Sequence, residues 1–469
     1  MTGASSSRVP LLSLLAIALA AFALRAFPFF IGDEGAWSYR VDYDEGVYFS
    51  AAAWLSEGVL PWRDYVFVHP PLHLLFLLLT SVWTKSALGL SGAFALSRWL
   101  AAFIGALNTF LVGRIVSRLP NVPMVAPLIA AAMYATYPEV AQVERGPFLE
   151  PVLNLLCLSL TLISMRPWKT TRTVVGMGVL AGLALGVKLW AVLWVFGAFL
   201  TLTTKRERIA FFVATSVTAS LVILPFATFA PGEFVRDALL FHLWRPADGT
   251  LETTARLEQI VSVRHLASPI LALLAVVLMR KQTGVAGVAW VLTIASFFAS
   301  AAYWNQYNAH LIASEAVLVG FAFVAIPERF RMVLVAAVTA SIIASVSHTI
   351  RRAKSTDEHL TIARSPLRDS KDCLFSFEPA WLIAADRLPP RETGPMIDSY
   401  ATQLLTAIDG GKKFPHANEA FSSVTALPPA LAKCQLLFIG ERAGKQVSLD
   451  SLGQTHHPLP QHPGFWERN

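Results

Sequence analysis

Three acidic residues fall within four positions, Asp42, Asp44 and Glu45, just after the first long apolar segment of the chain. A charged side chain is costly at bilayer depth and is usually functional where it appears there, and these three stand at the membrane boundary. Carboxylates so placed serve as a general base with an orienting partner, or as paired ligands for a divalent metal. They also fit a solvated loop start that does no more than cap a helix. Tyr48 follows Asp44 at a four-residue interval. Further on, His69 precedes Pro70-Pro71. Proline is tolerated at a first helical position, so His69 stands at the entry to an apolar helix. An imidazole there binds a phosphate or relays a proton, or is a helix-entry histidine without a role.

Cations recur in later loops. Arg145 lies in Glu144-Arg145-Gly146-Pro147-Phe148-Leu149-Glu150-Pro151, with Pro147 and Pro151 fixing its approach to Glu150. The pair reads as a structural ion pair or as a phosphate clamp, for which the guanidinium fork is suited. Arg245, in Phe241-His242-Leu243-Trp244-Arg245-Pro246, is a second candidate. Lys188 is the lone charge in an apolar stretch of about 30 residues, enough for two short helices. It binds phosphate at the turn between them, or snorkels. Tyr307 and His310 belong to a polar aromatic belt beginning at Tyr303; Tyr and Trp favour membrane interfaces even where they carry no function.

The elements that hold these residues are transmembrane. The 469 residues are 55% hydrophobic and 15% charged, with a mean hydropathy of +0.53, against about 25% charged in soluble proteins. Apolar runs near the bilayer-spanning length of about 20 residues recur at 11–31, 70–90, 94–113, 122–138, 148–165, 173–187, 188–203, 209–230, 266–280, 284–302, 310–326 and 331–348. The net charge of +7 sits in short loops between them, as the positive-inside rule requires. No basic stripe interleaved with aromatics suggests nucleic acid. The N-terminal run, preceded by Arg8, is too long for a signal-peptide core and reads as a retained first span.

Basic loops orient the rest. The clusters near Arg166, Lys205, Arg280 and Arg329 mark the cytoplasmic side, leaving 32–69, 139–147, 231–265, 303–309 and the tail outside. The expected fold is an all-α polytopic membrane protein with about 11 transmembrane helices. The 70–90 segment is read as partial or re-entrant. Residues 44–58 are expected as a surface helix capped by Asp44, with the stripe Val47, Ala51, Trp54, Leu55. Residues 1–348 form the transmembrane domain, with first outer loop 32–69. Residues 349–469 form a small extracytoplasmic α/β domain with strands near Leu374–Phe377 and Leu436–Ile439. A disulfide between Cys373 and Cys434 fits an outside location.

The motif Tyr43-Asp44-Glu45-Gly46-Val47-Tyr48, followed by Pro61-Trp62-Arg63-Asp64-Tyr65 and Phe67-Val68-His69-Pro70-Pro71-Leu72, resembles the C-type integral-membrane glycosyltransferases. It is similar to the bacterial relatives of protein O-mannosyltransferases and lipid A aminoarabinose transferases, family 39-like. The resemblance covers roughly residues 10–330. Glu150 stands where that family has an Asp after the Arg, Gln306-Tyr307 where it has a His-Tyr pair, and His69 where the aminoarabinose enzymes have a lysine. The resemblance implies a polyprenyl-phosphate-linked sugar donor and transfer, commonly inverting, at the extracytoplasmic face of a bacterial inner membrane. It implies Asp44 as catalytic residue with Glu45 beside it. Tyr48, His69, Arg145, Glu150, Lys188, Arg245, Tyr307 and His310 are then expected on the substrate. The acceptor is a glycan, lipid or protein hydroxyl; membrane lipid is a partner and nucleic acid is not. No cofactor is fixed, and a divalent metal is left open. The competing class is a transporter or flippase of a lipid-linked or anionic solute, which is expected to show inverted repeats and broken helices. A third is a non-catalytic sugar-binding scaffold.

Overall fold

The computed structural model describes residues 11–31, 34–85, 88–166, 169–261, 267–353, 373–391, 396–409, 411–424, 431–439, 452–460 and 464–469. Arg8 lies outside the described residues. The helices run, in order, α1 Leu11–Ile31, α2 Tyr43–Ser56, α3 Leu72–Ser81, α4 Gly89–Val116, α5 Val125–Thr136, α6 Pro138–Val143, α7 Leu149–Ser164, α8 Thr171–Val187, α9 Ala191–Leu200, α10 Lys205–Ala227, α11 Pro231–Phe234, α12 Phe241–Trp244, α13 Thr253–Ile260, α14 Ala267–Leu278, α15 Arg280–Ala299, α16 Asn308–Ala325 and α17 Glu328–Ala353. The tail adds α18 Pro379–Ala384, α19 Ser399–Ile408 and α20 Ala417–Ser423 with strands β1 Leu374–Ser376, β2 Leu436–Phe438, β3 His456–Pro458 and β4 Phe465–Arg468. Among the described residues, six helices are long and apolar enough to cross a membrane, beginning at Leu11, Gly89, Lys205, Arg280, Asn305 and Glu328. The chain is a mostly helical, multi-pass membrane protein.

The chain divides into two compact units. The first comprises Met1–Ile31, Trp99–Val222 and Thr250–Ser355. Its axis is α16, buried from Asn308 to Phe323 and packed against α5, α7, α14 and α15. A helix buried on every side, its polar Asn308, His310, Ser314 and Glu315 included, has no solvent face and belongs at the centre of a bundle. The expected pair of short helices at 173–203 is α8 and α9, and Lys188 is the residue that ends α8. Extended backbone there (φ −155°, ψ 136°) turns the chain into α9.

The second unit comprises Gly32–Arg98, Ile223–Gly249 and Thr356–Asn469. Its sheet has the order β1-β2-β4-β3, with β1 and β2 parallel and the other pairs antiparallel. Side chains alternate across a strand. Leu374, Leu436 and Phe438 therefore enter a core with Trp37, Phe49, Phe94 and Trp381. Phe375 and Leu437 enter another with Phe377 and Met396. Cys373 and Cys434, each just ahead of one of the paired strands, form a disulfide.

Two expectations about the first loop are corrected here. The cap of α2 is Asp42, not Asp44: Asp42 is extended (φ −85°, ψ 152°), and its side chain accepts from the Asp44 N–H while Glu45 reaches back to the Asp42 N–H. This reciprocal arrangement is a capping box, and it leaves Asp44 inside the first turn. Nor is α2 a one-sided interfacial helix. It is buried on all faces from Glu45 to Trp54, because α3 covers one side and α18 another. The 70–90 segment yields α3 and a 3-10 turn over Val82–Lys85. With 10 residues, α3 is short of the roughly 20 that span a bilayer.

Candidate active site

In the second unit the acidic motif is held from below. Glu45 is 3% exposed and Arg98 1%. The guanidinium donates from Nε to Glu45 Oε2 and from Nη2 to Oε1, both at 2.8 Å. Its remaining N–H groups donate to the carbonyls of Ala36 (2.6 Å), Tyr39 (3.0 Å) and Arg40 (3.2 Å). All five donors of the side chain are thereby used. Burial pushes the Glu45 carboxyl above its ordinary range, and Arg98 pulls it back. The fork fastens the Ala36–Arg40 turn to the start of α2, which fixes where Asp44 stands.

Two further contacts set the motif. A Cβ on Gly46 would lie 2.5 Å from the Ala380 backbone nitrogen, so only glycine lets α2 approach α18 this closely. The Tyr43 hydroxyl donates to Asp398 Oδ1 at 3.0 Å and accepts from the Tyr400 N–H at 3.0 Å. Glu45 and Tyr43 thus face protein, while Asp44 is half-buried.

Residues four apart on a helix share a face, so Asp44 and Tyr48 do. The Tyr48 hydroxyl lies 3.2 Å from His69 Nε2, with the two rings edge-to-face. The His242 ring lies tilted at 33°, 5.7 Å from the His69 ring, and its Nε2 donates to the Val68 carbonyl at 2.8 Å. Asp237, fully buried, forms an ion pair with Arg236 at 2.7 Å. Burial raises its carboxyl above the ordinary range, against the lowering by Arg236 and by the Phe67 N–H. Arg245 reaches Asp248 at 3.7 Å, and Asp248 also accepts from the Tyr400 hydroxyl.

In the first unit Lys188 donates to Glu150 Oε1 at 2.7 Å. The lysine is 8% exposed and Glu150 2%. Trp190 and Tyr307 offer ring faces to the ammonium at 4.8 and 4.7 Å, a favourable cation–π cage. Glu150 sits in the first turn of α7, where the helix dipole favours an anion. One turn on, Asn154 accepts from His310 Nδ1 at 2.8 Å and donates to the Ala309 carbonyl and the Tyr134 hydroxyl. His310 is therefore the Nδ1–H tautomer, and its buried Nε2 has no hydrogen-bond partner among the described residues. The network continues through Tyr134 to Glu144 at 2.7 Å and from Glu144 to Arg25 Nε at 2.9 Å.

Arg145 is committed to α1. Pro28 inside that helix lacks the N–H that would bond the carbonyl four residues earlier, which is Leu24. Arg145 Nη2 donates to Leu24 O at 3.1 Å, and its Nε to Arg25 O at 3.1 Å.

The expected site residues thus fall in two sets. Tyr48 and His69 come together with Asp44 on the same helix face, and Glu45 lies beneath them; Lys188, Glu150 and Tyr307 come together, with His310 one hydrogen-bonded step away at Asn154. Arg245 pairs with nearby Asp248, and Arg145 holds carbonyls of α1. Sequence reasoning missed Arg98, Asp237, Asn154 and Arg25. Arg25 and Arg98, charges inside the apolar runs 11–31 and 94–113, carried a signal in their own segments. Among the described residues no three His, Cys, Asp or Glu side chains gather as a metal site.

No family model matches the sequence, and no curated protein does. Solved structures do share its fold. ArnT from Cupriavidus metallidurans in the apo state matches with a TM-score of 0.57 at 13% identity, over 85% of this chain and 90% of that one. The same enzyme bound to undecaprenyl phosphate matches at 0.50 and 14%, over 84% and 70%. The archaeal oligosaccharyltransferase AglB from Archaeoglobus fulgidus, in complex with an inhibitory peptide and a dolichol-phosphate, matches at 0.54 and 10%, over 98% and 74%. The chain has the fold of the C-type integral-membrane glycosyltransferases, the fold that its first-loop motifs resemble.

Proposed function

We propose that this protein is a glycosyltransferase that moves a sugar from a polyprenyl-phosphate donor to an acceptor hydroxyl. Asp44 takes the hydroxyl proton. The acceptor oxygen bonds to the anomeric carbon as the bond from that carbon to the phosphate oxygen breaks. The electron pair leaves with the lipid phosphate, and attack from the opposite face inverts the anomeric centre. Lys188 is the cation assigned to the developing phosphate charge, as such clamps act elsewhere. Glu45 positions Asp44 through Arg98, and Tyr48 with His69 orients the hydroxyl.

The observation that carries this reading is Asp44 itself: a half-buried carboxylate in the first turn of a helix, beside an acid that Arg98 holds in place. The fold shared with ArnT bound to undecaprenyl phosphate and with AglB bound to dolichol-phosphate supports the donor class. The basic loops support an orientation with the N-terminus on the cytoplasmic side, the membrane is read as a bacterial inner membrane, and a disulfide in the tail fits an extracytoplasmic location. The acceptor is a glycan, lipid or protein hydroxyl. No observation on the described residues favours the transporter reading. The test is release of polyprenyl phosphate when the purified protein is incubated with polyprenyl-phosphate sugars and acceptor extracts. Acceptor-dependent release supports the reading, and no release across hexose and pentose donors refutes it.

A further inference from the structure

The first unit holds a cavity of about 930 Å³ that plays no part in the chemistry above. It lies where α7 and α9 end and α15 begins. Glu150 is at the other end of α7, and at 1.5 Å per residue the 16-residue helix separates the two by about 20 Å. Five cations line the cavity: Arg118, Arg166, Lys169, Arg280 and Lys281. No Asp or Glu is among its described lining residues. Lys169 Nζ donates to the Thr201 carbonyl and hydroxyl at 2.6 and 3.0 Å. Glu207, which also acts on Lys169, accepts from the Thr203 and Thr204 N–H groups and stays outside the lining.

The other wall is apolar and uncovered by protein. Phe196 and Leu200, one turn apart on α9, are 48% and 53% exposed, and Val291 on α15 is 46% exposed. In a multi-pass membrane protein such surfaces meet acyl chains. Like charges crowded without a carboxylate need an anion, and the space is many times the roughly 30 Å³ share of a water molecule. Basic pockets between helices at the cytoplasmic membrane surface suit anionic headgroups.

We propose that this cavity is a binding site for an anionic phospholipid. Its phosphodiester is held by Arg166, Lys169 and Arg280, with Arg118 and Lys281 at the rim. Its chains lie along Phe196, Leu200 and Val291. The site is independent of the donor and acceptor chemistry, so it stands or falls apart from the transferase reading.

The experiment is native mass spectrometry of the detergent-purified protein, titrated separately with phosphatidylglycerol, phosphatidylcholine and inorganic phosphate. The variant Arg166→Gln/Lys281→Gln removes two exposed side chains and serves as the control for site identity. Its melting temperature in lipid-free detergent reports whether it folds. The proposal expects saturable phosphatidylglycerol binding, at least tenfold tighter than phosphatidylcholine, and weakened about 10- to 30-fold in the folded variant at low salt. Equal binding of the two lipids, unchanged phosphatidylglycerol binding in the variant, or displacement of the lipid by inorganic phosphate at matching concentration overturns it. If the double variant does not fold, Lys281→Gln alone with a salt titration decides: salt-insensitive binding overturns the proposal.

Discussion

Arg98 and Glu45 face each other through two N–H···O bonds of 2.8 Å, both side chains buried, across 53 residues of sequence. The pair is the anchor of the acidic motif, and it converts one of the two adjacent acids into a support for the other. Breaking a buried pair by removing one partner costs about 3–5 kcal/mol, because the remaining charge is stranded. Glu45→Gln and Arg98→Met are each expected to lower thermal stability in detergent by an amount of this order. The double variant Glu45→Met/Arg98→Met is expected to recover only part of it, because the carbonyls of Ala36, Tyr39 and Arg40 still lose their donor. Equal melting of the wild type and both single variants contradicts the anchoring role.

Gly46 marks where α2 meets α18. Alanine there places a Cβ against backbone that cannot swing aside. Overpacking of this kind costs about 1–3 kcal/mol. Gly46→Ala is expected to lower the melting temperature and, by shifting α2, to reduce kcat as well. A melting curve and turnover both identical to wild type remove the claim of close approach.

The spacing Asp44–Tyr48 was readable because a helix has one period and both residues lie within a single turn-and-a-bit of it. The turn at Lys188 was readable for the same reason: two apolar runs too short to be one span need a break, and the only charge marks it. The cap was misread: Asp42 and Glu45 have the capping-box spacing, but Asp44 is the more conspicuous acid. What the sequence could not yield was the choice of partners. Arg98 reaches Glu45, Asp398 reaches Tyr43 and Ala380 meets Gly46 from far along the chain, and no local period encodes that. For the same reason α2 read as half-exposed: its apolar stripe was visible, the elements that cover its remaining faces were not. Arg145 read as a clamp because its target, a carbonyl orphaned by Pro28, belongs to another helix.

Lys188 is the cation assigned to the phosphate. Removing one preorganised charge or donor of this kind costs about 10²–10³ in rate. Lys188→Gln is expected to lower kcat/KM for the donor by that factor. Glu150→Gln, which leaves the ammonium in place within its cage of Trp190 and Tyr307, is expected to lower it less. Steady-state kinetics on both variants decides; a larger loss in Glu150→Gln reverses the assignment.

His456 gives the tail a pH dependence. It is 1% exposed, its Nε2 donates to the Cys434 carbonyl at 2.9 Å, and burial lowers its proton affinity below the usual imidazole range. The unfolded chain then binds more protons than the folded one as pH falls below about 6.5, so stability is full above that value and is lost with acidification. Amide exchange across Leu436–Phe438, corrected for its intrinsic pH dependence, is expected to quicken between about pH 7.5 and about pH 5.5. In His456→Gln that extra acceleration is expected to vanish. The same acceleration in the variant assigns it to another group.

The most direct test of the transferase account is turnover by Asp44→Asn. The substitution keeps size and hydrogen-bonding shape but cannot take a proton at neutral pH, and loss of a general base costs about 10²–10⁴ in rate. The variant, with a melting temperature and donor affinity like those of the wild type, is expected to release lipid phosphate at a rate lower by that factor. Wild-type turnover from a folded Asp44→Asn protein contradicts the account at its centre.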